Sequence, residues 1–256
     1  MLRVYALGCG LLEFDRSLFF SDTEKGTRCA VPVPAYLISH PRGHVLFDTG
    51  LHCDAISDPA GRLGYMAKVF TVRSREGDEI VTRLAHMGLS PADIGWVVNS
   101  HLHFDHAGGN EFFSRSAVFV QRKEMEATRD AEAAKKNGFD PKDFDHPLEY
   151  RLVDGEHDIF GDGKLVIIPT YGHTPGHQSL RVRPAKGIDL VLTGDACYTR
   201  ENLDRNILPR ISWDESEMYR SLGVLRRLRD REGASLLYGH DAEQWGQIPH
   251  APQPVV

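Results

Sequence analysis

The sequence predicts an α/β protein in which two β-sheets pack face to face with helices covering their outer faces. Short apolar runs of β type come first, then helical stretches, then strands and helices again, the order expected of such layers. Nothing resembling a linker, a low-complexity tract or a close internal repeat divides the chain, so residues 1–256 read as a single domain. With 41% hydrophobic and 26% charged residues, the composition is that of a globular chain with a proper core.

In order, Arg3 to Leu7 reads as the first strand. The opening stretch carries one arginine and is broken by Gly8 and Gly10, which makes it a poor signal peptide. Residues 13–28 are polar and irregular, interrupted by Leu18, Phe19 and Phe20, which either tuck under the domain or line an apolar pocket. Ala35 to Ser39 and His44 to Asp48 are β-type runs joined by the turn signal His40-Pro41-Arg42-Gly43, hence a hairpin ending on Asp48-Thr49-Gly50. Residues 51–75 lack periodicity and have the length of a lid or binding loop. Within them Tyr65, Met66, Val69 and Phe70 either face a substrate or form a short buried helix. Ile80, Val81, Leu84 and Met87 stand at helical spacing, with Gly88 as the stop.

Ile94 to Asn99 is apolar enough for a buried strand, and Ala117 to Gln121 for another. Lys123 to Ala134 reads as a charged helix. Asn137 to Tyr150, with Gly138, Pro141 and Pro147, reads as an exposed connection in which His146 is solvated, as is His157 beyond it. Lys164 to Ile168, Gln178 to Val182 and Asp189 to Leu192 are further strands. Ser216 to Arg231 is amphipathic, with Met218, Leu222, Leu225 and Leu228 on one face, and Ser235 to Tyr238 is the last strand.

The formal charge of −6 argues against a nucleic-acid partner, whose phosphates call for Lys and Arg. Cys9, Cys29, Cys53 and Cys197 form no C-x-x-C pair and no disulfide framework, which points to a reduced, cytoplasmic setting. No apolar run approaches the ~18 residues of a membrane helix, so no membrane partner is expected.

The chemistry concentrates in Ser100-His101-Leu102-His103-Phe104-Asp105-His106-Ala107-Gly108-Gly109-Asn110, directly after the Ile94 strand. Imidazole and carboxylate are the usual ligands of zinc and similar ions. In extended backbone, His101 and His103 at i and i+2 put both rings on one side, within reach of one ion. If the chain turns into a helix before Gly108-Gly109, Asp105 and His106 point elsewhere and can serve a second ion. Three more donors follow strands, each directly after a glycine that permits a sharp turn: His173, Asp195 and His240.

H-x-H-x-D-H after a hydrophobic strand resembles the metallo-β-lactamase superfamily, and the longer Ser100–Asn110 string resembles its N-acyl-homoserine-lactone lactonase, or quorum-quenching, branch. The resemblance implies a four-layer αβ/βα sandwich with the site at one edge of the sheets. It assigns His101, His103 and His173 to a first metal, Asp105, His106 and His240 to a second, and Asp195 to the bridge between them. Two divalent ions per chain are implied, with zinc the default and iron, cobalt or manganese able to take the same ligands. Asp48 and His177 are expected to support the ligands rather than bind metal.

Other branches fit less well. Asp195 stands where zinc β-lactamases with a cysteine ligand have that cysteine, and Cys197 is offset by two positions. The chain ends soon after His240, without the helical extension of glyoxalase II. His103 stands where flavodiiron proteins have an acidic residue, and the basic arm of ribonuclease Z is missing. Gly194-Asp195-Ala196-Cys197-Tyr198 favours the lactonases, in which this tyrosine contacts the lactone. The expected reaction is attack of a metal-bridging hydroxide on the lactone carbonyl. The resemblance implies Tyr198 and Asp105 as catalytic groups, and Phe19, Phe20, Phe70 and Phe104 are the expected apolar contacts for the acyl chain. The alternatives on the same site are a pyridoxolactonase-like enzyme, a phosphodiesterase or a thioesterase. The expected partner is a small lactone, and assembly as a homodimer is compatible with the sequence.

Overall fold

Successive side chains of a strand face opposite ways, and in the strand Arg28–His40 both faces are apolar. Tyr36 and Ile38 pack on one side, Ala35 and Leu37 on the other. A strand of this kind must be covered twice. The structure, a computed structural model describing residues 2–256, does this with a second sheet on one face and helices on the other.

The first sheet contains β1 (Arg3–Asp15), β2 (Arg28–His40), β3 (Gly43–Phe47), β4 (Thr71–Val72), β5 (Ile94–Val98), β6 (Ala117–Gln121) and β7 (Glu149–Val153), in the order β4-β1-β2-β3-β5-β6-β7. The second contains β8 (His157–Asp158), β9 (Leu165–Pro169), β10 (Gln178–Val182), β11 (Leu190–Leu192) and β12 (Ser235–Leu237), in the order β12-β11-β10-β9-β8. β3, β5, β6 and β7 run parallel, as do β11 and β12. Parallel strands buried on both faces explain the near-continuous apolar runs at Val97–Val98 and Val118–Val120.

Val4, Ile38, Phe47 and Val98 of the first sheet meet Ile167, Leu180, Leu192 and Leu237 of the second in a central core. Outside the first sheet, Leu37, Leu46, Val97 and Val118 are covered by Ile80 and Leu84 of α3 (Ile80–His86) and by Ala134 of a later helix. Outside the second, Val191 and Leu236 are covered by Met218, Leu222, Leu225 and Leu228 of the helix Glu215–Asp230. The layers are therefore helix, sheet, sheet, helix, the sandwich expected from the sequence.

Several boundaries differ from the sequence reading. β1 runs on to Asp15 and β2 begins at Arg28, because the polar stretch hides alternating apolar positions that pair across the ribbon, Leu12 with Val31 and Phe14 with Cys29. Residues 51–75 hold α1 (Cys53–Ser57), α2 (Pro59–Leu63), a 3-10 turn and β4. The expected charged helix is two, α4 (Arg122–Ala127) and α5 (Ala131–Lys136). Asp130 starts the second by capping the Ala133 N–H, which interrupts the first. The connection 137–150 is not simply exposed: it contains α6 (Pro141–Phe144) and buries Phe139, Asp143 and Phe144.

Candidate metal centre

The candidate ligands gather where strands end. His101, His103, Asp105 and His106 follow β5, His173 follows β9, Asp195 follows β11 and His240 follows β12. Asp48 follows β3, the parallel neighbour of β5. The glycines before the later donors serve in different ways. Gly172 and Gly194 have φ of +124° and +52°, a region that side chains avoid. Gly239 has no such φ, but a Cβ there would lie 2.6 Å from the Gly194 carbonyl oxygen. No helix forms over 103–107. A tight turn does the work, with the His106 and Ala107 N–H groups both donating to the His103 carbonyl.

The donors converge on two adjoining points. His101 Nε2 is 3.0 Å from His103 Nδ1, which is 3.1 Å from His173 Nε2. Asp195 stands between this set and the other. Its Oδ2 is 3.3 Å from His173 Nε2, while its Oδ1 is 3.2 Å from His106 Nε2 and 3.0 Å from His240 Nε2. Asp105 Oδ2 closes the second set at 3.7 Å from both His106 and His240. Among the described residues, the groupings whose ligand atoms all lie within 4.8 Å of one another include His101–His103–His173, His101–His106–Asp195 and Asp105–His106–His240.

The nitrogen that each imidazole turns away from the centre is tied. His103 Nε2 donates to the Asn137 carbonyl at 2.8 Å, and His240 Nδ1 to the Pro32 carbonyl at 2.8 Å. His106 Nδ1 meets Asp48 Oδ2 at 2.9 Å, and the same carboxylate accepts the Ser100 N–H and hydroxyl. Asp48 pays for this position with φ of +60°, uncommon outside glycine. His177 has both ring nitrogens engaged by protein groups. Its Nδ1 contacts the Thr170 carbonyl, and its Nε2 accepts the Asp195 N–H at 2.9 Å. Tyr198 Oη lies 3.3 Å from His173 Nδ1.

Electrostatics divide the centre. Burial and the surrounding imidazoles hold His101 well below the ordinary range, and burial does the same to His173. Burial opposes charge on His106 and His240 too, but the nearby Asp195 and Asp105 carboxylates outweigh it, so both are raised. Burial pushes His177 down to about 3, which suits its acceptor role. Burial, reinforced by Asp195, holds the Tyr198 hydroxyl well above its usual range, so it stays protonated. The donor set fits cations: His106 Nε2 and Asp195 Oδ1 are buried without any hydrogen bond to satisfy them.

Above the centre opens a cavity of about 350 Å³. His103, Asp105, His173, Asp195, Tyr198 and His240 reach its floor. Its wall includes Phe14, Leu18 and Phe19, then Tyr65, Met66 and Phe70, then Phe104. Thus residues 13–28 and 51–75 both contribute. Phe20 does not: it lies buried on the other side of Phe19, under the Arg16 guanidinium, because consecutive side chains diverge there. His146 and His157 stay outside the centre, half-buried.

The sequence reading missed Lys135–Gly138 and Ile211–Trp213, which complete the wall. The second segment is tied back by the Trp213 N–H to the Gly172 and His173 carbonyls. Asn137 acts through its backbone carbonyl, which no side-chain signal announces. Trp213 stands 48% exposed at the rim, and an aromatic in a polar stretch was the one available clue.

Residues 30–240 match the family model for the metallo-beta-lactamase superfamily. The chain is similar to the N-acyl homoserine lactonase AttM of Azorhizobium caulinodans, 36% identical with 98% of this chain and 97% of that protein covered. It is 33% identical to an N-acyl homoserine lactonase of Bacillus cereus, with 94% of each covered. Among solved structures, a mutant of Bacillus thuringiensis AiiA with N-decanoyl-L-homoserine bound at the active site superposes with a TM-score of 0.88 at 29% identity, over 98% of each chain. An N-acyl homoserine lactone hydrolase with N-hexanoyl-L-homoserine bound at its catalytic metal centre matches with the same score, identity and coverage.

Proposed function

This chain belongs to the metallo-β-lactamase superfamily, and from that premise we propose that it is a metal-dependent hydrolase that opens the lactone ring of N-acyl homoserine lactones. The observation that carries this reading is Asp195, whose two oxygens face two separate imidazole sets at the floor of an aromatic-walled cavity. We take the whole chain, 1–256, as one catalytic unit working in the cytoplasm, in keeping with its four free cysteines.

His101, His103 and His173 would hold one divalent ion, Asp105, His106 and His240 a second, with Asp195 shared and zinc the expected metal. Ions bound there would supply a water acidic enough to attack near neutral pH and electrophilic help to the carbonyl. The protein's own groups do the rest. With His173 using Nε2 toward the centre, its Nδ1–H donates to Tyr198, which leaves the tyrosine's own hydrogen free to point at a developing oxyanion. Asp105, on the cavity floor, is placed to take the proton that the attacking water gives up and pass it to the departing alkoxide. Asp48 and His177 fix His106 and Asp195, and the aromatic wall gives an acyl chain an apolar surface. Water adds across the ester bond, the ring C–O bond breaks, and a hydroxy acid leaves.

The test is a pH-indicator assay of the metal-loaded protein on acyl homoserine lactones of several chain lengths, other lactones, a thioester and a phosphodiester. Acyl homoserine lactones should be turned over best. Thioester or phosphodiester turnover an order of magnitude above every lactone would overturn the proposal.

A further inference from the structure

Glu124 sits in the first turn of α4, with no part of it exposed to solvent. Among the described residues no Lys or Arg pairs with it. A buried carboxyl without a cation is costly unless its oxygens are hydrogen-bonded, and both of these are. Oε1 accepts the Leu102 N–H at 3.0 Å, and Oε2 accepts the Gly176 N–H at 2.8 Å. Leu102 lies between His101 and His103, and Gly176 lies between His173 and His177. The first of these loops leaves β5 of one sheet, and the second links β9 and β10 of the other. The approach is close enough that a Cβ on Gly176 would lie 2.3 Å from the Glu124 nitrogen.

We infer that Glu124 is a positioning residue for the centre: its carboxylate clips together the two loops that carry His101, His103 and His173 and so sets how those three imidazoles meet. The inference rests on the reading of those histidines as ligands. An apolar residue would fill the same space at less cost, so mere packing does not account for a carboxylate with one oxygen on each loop. The two clipped N–H groups adjoin the three-imidazole set directly, at Leu102 between His101 and His103 and at Gly176 three residues past His173. His106 and His240 are oriented by Asp48 and Pro32 instead.

The test is zinc binding by the metal-free full chain in competition with a chromophoric chelator, beside its thermal melt. His173→Ala and His240→Ala assign the two binding events to the two sets. Glu124→Gln keeps the size but turns an NH2 toward one of the two backbone N–H groups. Glu124→Met fills the space with no acceptor. Each variant should weaken the event assigned to His173 by roughly 10- to 100-fold, the usual cost of losing a group that orients a ligand, and leave the other event within a factor of about two. Both events unchanged, both weakened alike, or both variants failing to fold would make Glu124 a structural prop and overturn the inference. If the unaltered chain shows no pair of binding events, the reading of the centre itself fails and takes the inference with it.

Discussion

The floor of the cavity and its wall are held together by different forces. On the floor, His103, His106, His173 and His240 each have the nitrogen away from the centre engaged, by a carbonyl, a carboxylate or the Tyr198 hydroxyl. On the wall, Phe14, Phe19, Phe70 and Phe104 touch mainly through ring faces and edges, at centroid distances of 4.6 to 5.6 Å. Hydrogen bonds are directional and costly to leave unmade in a buried site, whereas ring contacts tolerate a change of shape. The floor therefore admits one arrangement, and the wall admits many. Chemistry should reside in the first and substrate preference in the second, with Tyr198 at the seam. Its hydroxyl lies beside His173, while its ring packs 4.2 Å from that of Phe19.

The sharpest way to break this contrast is Asp195→Asn. A neutral amide cannot balance two cations, so bound metal and turnover should disappear together, by metal analysis and by assay. Retention of both ions with near-normal turnover would remove Asp195 from the bridge.

Tyr198→Phe probes the seam. It deletes an oxygen and leaves the ring against Phe19, so fold and metal content should hold. Turnover and kcat/KM should fall together by less than the ~10²-fold that one aligned oxyanion donor can be worth, because the cations would share that task. A rise in KM alone would place the hydroxyl in binding only.

On the wall, Trp213→Ala should raise KM for long acyl chains by up to roughly tenfold, about what burying one or two methylenes is worth, and leave kcat unchanged. An equal effect on the shortest chain would show that Trp213 does not read length.

The smallest effect concerns the frame of the wall. Glu13 accepts hydrogen bonds from Arg73 and Arg28, which lower its carboxyl from 4.5 to about 2. Because the folded value lies below the unfolded one, this contribution is complete above about 4.5 and fades as the pH falls toward 2. Glu13→Gln should thus lower Tm slightly at neutral pH, and the difference from the parent should vanish in acid. A difference that persists there would assign it to packing.

Much of the floor was legible in the sequence because its information lies in residue type and spacing. The string from Ser100 to Asn110 announces donor chemistry before any fold is known, and the later glycine-preceded donors follow strand ends. The sandwich was legible for a related reason, since apolar runs of strand length leave few ways to be covered. The wall was not. Phe19 and Phe20 are alike in composition and adjacent, and only the 3-10 turn at Arg16–Leu18 sends one to the cavity and the other beneath Arg16. Asn137 and Glu124 escaped because one acts through its own backbone and the other on the backbone of distant residues. Trp213 escaped because it belongs to no element and is fixed by carbonyls beside His173.

The donors arrive from both sheets, and the last of them, His240, follows β12, which docks parallel to β11. That arrangement sets a chronology. Pairing residues remote in the chain carries a loop-closure cost, and the donor set that includes His240 is complete only once β12 is docked on β11. Cation capture would then end folding rather than guide it. An ion that binds the native chain but not the unfolded one deepens the native well after the barrier is crossed. Chelation should accordingly hasten unfolding and leave the refolding rate as it was, so the ions would act as a latch on a finished protein.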